Sequence, residues 1–433
     1  MTNYFNIKQK LKSEFGKNVA TLFSGTALAQ FVPLIVMPIL TRLYTPSDYG
    51  VLAVFVAITA IIATISTLRY DIAILLPSED VKAMTIALLS IFCVLMTSIF
   101  SLIILCASHK NIISLIKSPE MNLWVYAIPL SIFFIGCNNV LTCWLNRHKQ
   151  FRKLAINRVT VAVVAAAATL TFGFYGFSYS GLILGSLIGQ FTTMIMLMIW
   201  TWRDMINGFR NFKWISIRQR SKEYKKFPLF SLPADWVNSF SQQLPVLALG
   251  RFFGQGVVGH FSFSQKILGM PLSLLSQSIL DVFKQRASSD YSKYGNCRHI
   301  FDKTAKTLTA LSIVPLAIIF FFAPLIFKIV FGNEWEQAGQ YTRYLAPLYF
   351  FRFIASPLSY VFYVTNRQDA DLIGQIGLLL STIGSMLLGA HFNNPNVAII
   401  SFSFGYIIVY SFYFWGAKRL STGRKNIFFY EKD

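Results

Sequence analysis

Two cations stand inside stretches that are otherwise apolar. Lys266 lies within residues 257–281 and Arg352 within residues 341–363. A charge in hydrocarbon is costly, so it faces a cavity or a partner. Arg presents a planar fork that matches phosphate oxygens, and Lys presents a compact charge. Their neighbours are polar at helical spacing. Lys266, Ser273, Gln277 and Asp281 follow at intervals of 7, 4 and 4, and Arg352, Ser356, Ser359 and Tyr363 at 4, 3 and 4. Each set makes one stripe along a helix. Cationic, hydroxyl-rich walls suit an anionic, hydroxylated cargo, which makes Arg352, Lys266, Ser356 and Ser359 candidate contacts. Either cation could instead be neutralised by Asp235 or Asp281 as a structural pair.

The richest polar stripe is Ser231, Asp235, Asn238 and Gln242, spaced 4, 3 and 4, in a stretch that also carries Pro228, Pro233 and Pro245. Prolines free backbone carbonyls and permit bending. The stripe reads as a cavity lining or as a hydrogen-bonded seam between helices; a seam rarely needs a carboxylate. Asn238 and Gln242 join the candidate cargo contacts. Asp235 and Asp281 are candidate proton or sodium carriers. Arg69 and Asp71 sit where a span ends, as an inner-gate pair or as a local ion pair fixing the loop. Arg42 and Arg251 end two matching spans, as interfacial anchors or an outer gate. Tyr406, Tyr410 and Tyr413, with Ser403, make a hydroxyl-bearing aromatic edge suited to packing or to stacking on sugar rings.

The elements that must position these residues are long apolar stretches. Twelve recur, near 18–40, 49–68, 83–107, 122–145, 155–176, 181–202, 228–250, 257–281, 304–330, 341–363, 370–391 and 396–417. Each is long enough to cross roughly 30 Å of hydrocarbon as a helix. Composition agrees: 55% of residues are hydrophobic and only 13% charged, against about 25% charged in a soluble domain. The expected fold class is an all-α integral membrane protein. The first apolar stretch is too long for a cleaved signal, and no small-residue cleavage pattern follows it. Five cysteines show no metal spacing and five histidines are scattered, leaving little for a metal centre or a His-based hydrolase. No Gly-rich Lys-Ser/Thr loop occurs, so ATP drive within the chain is not expected.

The net charge of +21 is distributed by side. Lys8, Lys10, Lys12 and Lys17 precede the first span. Arg147, Lys149, Arg152 and Lys153 follow the fourth. The sixth is followed by a run from Arg203 through Lys213 to Lys226, the eighth by Lys284 to Lys306, and the twelfth by Lys418, Arg419, Arg424, Lys425 and Lys432. The other side shows Arg42, Lys110, Lys117 and Arg251. This is the positive-inside pattern, and with an even span count it puts both termini in the cytoplasm. Topology and attraction to lipid headgroups account for the basic runs without nucleic acid.

The chain reads as two halves: six spans in 1–202, a basic cytoplasmic linker at 203–227, and six spans in 228–433. Arg42 and Gly50 are echoed by Arg251 and Gly259 with an offset of 209 for both (251 − 42, 259 − 50), and Asn146-Arg147 by Asn366-Arg367 with an offset of 220 (366 − 146). Halves with even span counts are parallel repeats, an arrangement that places a binding site at mid-membrane between them and exposes it alternately by rocking.

Several segments resemble the Wzx-type O-antigen and polysaccharide flippases. These are Asn18-Val19-Ala20 through Thr41-Arg42-Leu43-Tyr44-Thr45-Pro46-Ser47-Asp48-Tyr49-Gly50, Leu68-Arg69-Tyr70-Asp71-Ile72-Ala73-Ile74-Leu75-Leu76-Pro77, and Phe331-Gly332-Asn333-Glu334-Trp335. That family belongs to the MATE-like, or MOP, superfamily of exporters. The resemblance implies two six-helix lobes in a V shape and a central cationic cavity. The implied cargo is an undecaprenyl-diphosphate-linked oligosaccharide, turned from the inner to the outer leaflet of a bacterial plasma membrane. It further implies membrane lipids as surroundings and a polysaccharide polymerase with chain-length machinery as candidate partners. No cofactor is implied beyond H+ or Na+ coupling. A cation-coupled multidrug or metabolite antiporter of the same superfamily is the rival reading. A membrane glycosyltransferase or polymerase would need a large outer loop. The longest outer segment here is 108–121, whose charged residues are Lys110, Lys117 and Glu120, so an enzyme is not expected.

Overall fold

A computed structural model of the 433-residue chain describes residues 24–210 and 214–423. Lys8, Lys10, Lys12, Lys17, Asn18-Val19-Ala20, Lys213, Arg424, Lys425 and Lys432, named above, lie outside the described residues. Within them all regular structure is helical. In chain order the helices are α1 (Ser24–Leu43), α2 (Pro46–Ser66), α3 (Tyr70–Ala73), α4 (Asp80–Ile116), α5 (Met121–Trp124), α6 (Ala127–Arg147), α7 (Phe151–Phe174) and α8 (Tyr179–Arg210). There follow α9 (Trp214–Glu223), α10 (Leu232–Phe253), α11 (Gln255–Tyr294), α12 (Arg298–Phe331), α13 (Glu336–Leu358), α14 (Val361–Val364), α15 (Gln368–His391) and α16 (Pro395–Ser421).

Among the described residues eleven segments are long and apolar enough to cross a membrane, not twelve. The exception is the seventh stretch. A π-helical turn, Phe227–Ser231, carries Pro228, and α10 follows with Pro233 in its first turn and Pro245 inside. With 22 residues, α10 has the length for about 33 Å at 1.5 Å per residue. Its Asp235, Asn238, Ser239, Ser241, Gln242 and Gln243 lower its apolarity below that of the other eleven. Several helices also outrun the stretches read from sequence. α11 has 40 residues, because a charge ends an apolar run without ending a helix, whereas α4 reaches 37 only across a kink at Ser108 (φ −123°, ψ 23°).

The chain divides into two compact units, Met1–Gln243 and Leu244–Asp433. The first has one core cluster around Ile74, Met84, Leu88, Trp144, Leu154 and Met205, and another around Phe55, Val125, Ile132 and Ile183. Short amphipathic α9 packs Ile217 into the first cluster. The second unit has a cluster around Phe283, Phe301, Leu308, Phe353 and Leu358, and an aromatic knot in which Phe263 meets Phe327, Phe331 and fully buried Trp335.

Turn geometry repeats between the units. The second helix of the first hairpin begins at Pro46 in one unit and at Gln255 in the other, an offset of 209 (255 − 46). α7 and α15 both have 24 residues, at an offset of 217 (368 − 151). They are entered by the same pair of bonds. Lys149 N–H donates to Asn146 O and Gln150 N–H to Leu145 O; Asn366 N–H donates to Tyr363 O and Arg367 N–H to Phe362 O. Lys149 and Asn366 take positive φ, 54° and 55°. The structure therefore aligns Asn366 with Lys149 rather than with Asn146, and the sequence echo at offset 220 is three residues out of register. The hairpins that follow share one close contact. A Cβ on Gly181 would lie 2.8 Å from that of Phe172, and a Cβ on Gly389 would lie 2.3 Å from that of Ala398; 181 and 172 plus 217 are 398 and 389.

The motif Thr45-Pro46-Ser47-Asp48 begins α2 with a capping box. Asp48 N–H donates to Thr45 Oγ1, and Thr45 N–H donates to Asp48 Oδ2 at 2.8 Å, so two otherwise orphan donors are satisfied. Asp48 Oδ1 also accepts from Tyr179 N–H at 2.8 Å, and Tyr44 Oη donates to Thr169 O at 2.7 Å. Burial first, and then Asp48, push the Tyr44 hydroxyl up to about 12, so it stays a donor. These bonds stitch the α1–α2 turn to α7 and α8.

Candidate functional site

In the first unit, the reversal after α2 sets the position of Arg69. Leu68 and Arg69 both lie in the left-handed region, at φ 48° and 61°, a conformation costing of order 1–3 kcal/mol per non-glycine residue. Thr67 holds the turn: its Oγ1 donates to Asp71 Oδ1 at 2.8 Å and accepts from Arg69 N–H at 3.2 Å. Asp71 is buried and capped by this threonine. Arg69 reaches the other way, and its Nη2 lies 2.6 Å from Asp235 Oδ2 on α10. The two gate candidates at the end of α2 thus have different partners, and Asp235 is engaged by Arg69 rather than by Lys266 or Arg352. The side chains are 26% and 37% exposed, so the pair is accessible rather than sealed. Arg147 secures the loop beyond α3. Its guanidinium donates to the carbonyls of Ile74, Pro77 and Ser78 and to Asp80 Oδ1.

On α10, Gln242 Nε2 donates to Asn238 Oδ1 at 3.2 Å, and both residues are exposed. Trp236 and Phe240 stack at 5.9 Å and are exposed too. Arg42 is exposed at the end of α1, whereas one guanidinium nitrogen of Arg251 is buried without a hydrogen-bond partner.

In the second unit, Arg352 of α13 lies over the ring of Tyr349, 5.6 Å from its centroid. Tyr349 is 6% exposed and its Oη donates to Gln265 O of α11 at 3.4 Å. Tyr406 and Tyr410 of α16 stand close enough to interact electrostatically with Arg352, and Tyr406 shares a 3.0 Å hydroxyl contact with Thr382. Lys266 follows Gln265 on α11. Lys266 and Arg352 are both exposed, and among the described residues neither has a carboxylate within ion-pair distance. Asp281, also exposed, lies further along α11. The stripe expected from Arg352 to Tyr363 is broken. α13 ends at Leu358, Ser359 caps it and bonds back to Ser356 O, and Tyr363 sits on the separate turn α14, its hydroxyl 3.2 Å from Asp371. Ser356 remains exposed one turn from Arg352.

The arrangement is that of a cation on an aromatic floor with hydroxyls beside it. A guanidinium so placed keeps its donors for a ligand, since the ring takes one face and not the in-plane N–H groups. The profile of a family described as Polysaccharide biosynthesis protein matches residues 39–340. The chain belongs to that family. A search of curated protein sequences gave no match. Among solved structures, the fold is similar to an inward-facing multidrug resistance MATE family transporter of the MOP superfamily, at 14% identity, 93% of this chain, 94% of that chain and TM-score 0.68. It is similar to the lipid II flippase MurJ in an inward closed conformation, at 15% identity, 93% and 90% coverage and TM-score 0.68. A MOP superfamily transporter from Pyrococcus furiosus, described as having a binding pocket of reverse polarity, matches at 16% identity, 94% and 95% coverage and TM-score 0.63. By family the chain is a polysaccharide biosynthesis protein, and by fold it is a multi-pass, all-helical membrane protein of MATE-like architecture.

Other polar groups escaped the reading of the sequence. Arg158 lies inside α7 and donates to Thr26 Oγ1 of α1, where Gly25 lets the helices meet at Ala155. Its signal was present: it extends the basic run 147–153 one turn into the apolar stretch. Arg343 of α13 lies over Phe320 at 5.5 Å. Asp371 accepts from Tyr413 Oη at 3.1 Å and Gln375 Nε2 at 3.4 Å, a set that sequence spacing cannot connect because Tyr413 is on another helix.

Proposed function

We propose that this protein is a flippase that carries a lipid-diphosphate-linked oligosaccharide, a repeat unit of O-antigen or another surface polysaccharide, from the inner to the outer leaflet of a bacterial plasma membrane by alternating access. The polysaccharide-biosynthesis family and the resemblance to Wzx-type flippases support the cargo class, and the fold shared with a lipid II flippase is consistent with it. The observation that carries the reading is Arg352: an exposed guanidinium, with no carboxylate in ion-pair distance among the described residues, seated on Tyr349 and within electrostatic range of Tyr406 and Tyr410. Diphosphate oxygens match its fork, and in the same unit Lys266 adds a second cation and Ser356 a hydroxyl; in the other unit, Asn238 and Gln242 carry amides of the kind that sugar hydroxyls bind. In this reading α10 is the twelfth crossing, polar because it serves the cargo path, and both termini are cytoplasmic. A polysaccharide polymerase would take the product.

The test is to delete the gene and follow lipid-linked oligosaccharide. Accumulation in the inner leaflet, reversed by the wild-type gene and not by Arg352→Ala, is the expected result. Normal export in the deletion strain would refute the assignment. The MATE-like fold also favours a cation-coupled multidrug or metabolite antiporter; in that case deletion changes drug or metabolite efflux and leaves the lipid-linked pool unchanged.

A further inference from the structure

We infer that the groove between α15 and α16 seats a phospholipid with an anionic headgroup, a binding site separate from the cargo path. The groove is a cavity of about 300 Å³ lined by Ile373, Gly374 and Gly377 on α15 and by Val409, Phe412 and Trp415 on α16. Both walls are among the membrane-crossing segments, so the groove belongs to hydrocarbon. Gly377 keeps it open, since a Cβ there would lie 3.4 Å from Val409 and a longer side chain would extend into the cavity.

The end of the groove distinguishes it from ordinary apolar surface. Trp415 is 47% exposed, a residue suited to the headgroup level. Arg419 lies over its ring at 5.6 Å, and Lys418 is exposed beside it in the last turn of α16. Of the nearby carboxylates, Asp369 is paired with Arg367, and Asp371 is bonded to Tyr363, Tyr413 and Gln375. Among the described residues no carboxylate lies within ion-pair distance of Lys418, which therefore sets a positive charge at the rim. An acyl chain fits the groove and an anionic phosphate group fits its rim, whereas a zwitterionic choline headgroup would set a cation against Lys418.

Trp415 reports on its own groove. The full-length protein is reconstituted in bilayers containing phosphatidylglycerol or phosphatidylcholine with brominated acyl chains. The quenching that disappears in Trp415→Phe, out of the signal of all 8 tryptophans, is the groove signal. It is expected at about fivefold lower phosphatidylglycerol than phosphatidylcholine, the gain from one basic residue near a lipid phosphate. Lys418→Gln, at an exposed position, should erase that preference, and Gly377→Leu should weaken quenching by both lipids. Equal quenching by the two lipids, or a preference untouched by Lys418→Gln, overturns the inference. So does displacement of brominated phosphatidylglycerol by undecaprenyl diphosphate at lower concentration, which would assign the groove to the cargo.

Discussion

Arg69 and Asp235 illustrate how a single pair can be read by its removal. Either substitution alone leaves one unpartnered charge at the edge of the membrane, whereas both together leave none. The pair is about one-third exposed, so its coupling should be about 1 kcal/mol, the upper end for solvent-accessible pairs. Thermal unfolding of Arg69→Ala, Asp235→Ala and the double variant measures it; strict additivity would mean the contact is incidental. Arg352 makes the opposite case, with no carboxylate partner to lose among the described residues. Arg352→Ala should abolish surface polysaccharide without loss of protein from the membrane, and Arg352→Lys should recover only part, because a point charge lacks the fork. Tyr349→Phe keeps the ring beneath the guanidinium and should behave almost as wild type, while Tyr349→Ala should approach Arg352→Ala.

At the scale of elements, the turn Thr45–Asp48 has a mechanical function. Asp48→Ala removes an N-terminal box and strands the Tyr179 N–H, so a loss of about 2 kcal/mol is expected in unfolding experiments. Asp48→Asn should lose less. The α10 stripe is tested by cysteine scanning with a membrane-impermeant thiol reagent in a background freed of native cysteines. Labelling at 231, 235, 238 and 242, with 236 and 240 silent, is expected if water follows the stripe and lipid covers Trp236 and Phe240; uniform labelling would make the stripe a packing seam. Much of this scale was legible beforehand. Apolar length marked twelve stretches, of which eleven are long and apolar enough to cross a membrane among the described residues, and the polar residues that made α10 chemically interesting are the ones that lowered its apolarity. Helix ends were less legible, because α8, α11 and α12 continue through charged residues once these face water. Partner choice was not legible at all. Spacing put Arg69 beside Asp71, but two left-handed residues turn Arg69 toward Asp235 instead, and local sequence carries no mark of a contact 166 residues away (235 − 69).

For the whole molecule, charge distribution makes the strongest prediction. Reporter fusions after residues 120 and 220 should lie on opposite sides of the membrane, the second in the cytoplasm with the basic run that includes Arg203, Arg218 and Lys222. Finding both on one side would remove a crossing from α6, α7 or α8 and reverse every later assignment.

The matched hairpin contacts bear on ancestry. Glycine stands on the second helix in the pair Phe172–Gly181 and on the first in the pair Gly389–Ala398. Neither clearance is a matter of two side chains alone: a Cβ on Gly389 would also lie 2.9 Å from Ala398 Cα and 3.0 Å from its N, and one on Gly181 would lie 2.5 Å from Tyr44 Oη. Gly389→Ala should therefore stay destabilised when Ala398→Gly is added, because the backbone of residue 398 is left in the way; full recovery in thermal unfolding would mean that the methyl alone sets the contact. The same corner is thus kept in both halves by glycines on opposite helices, each held by its own surroundings, and that is how two copies of one design can stop resembling each other in sequence while their chains still turn alike.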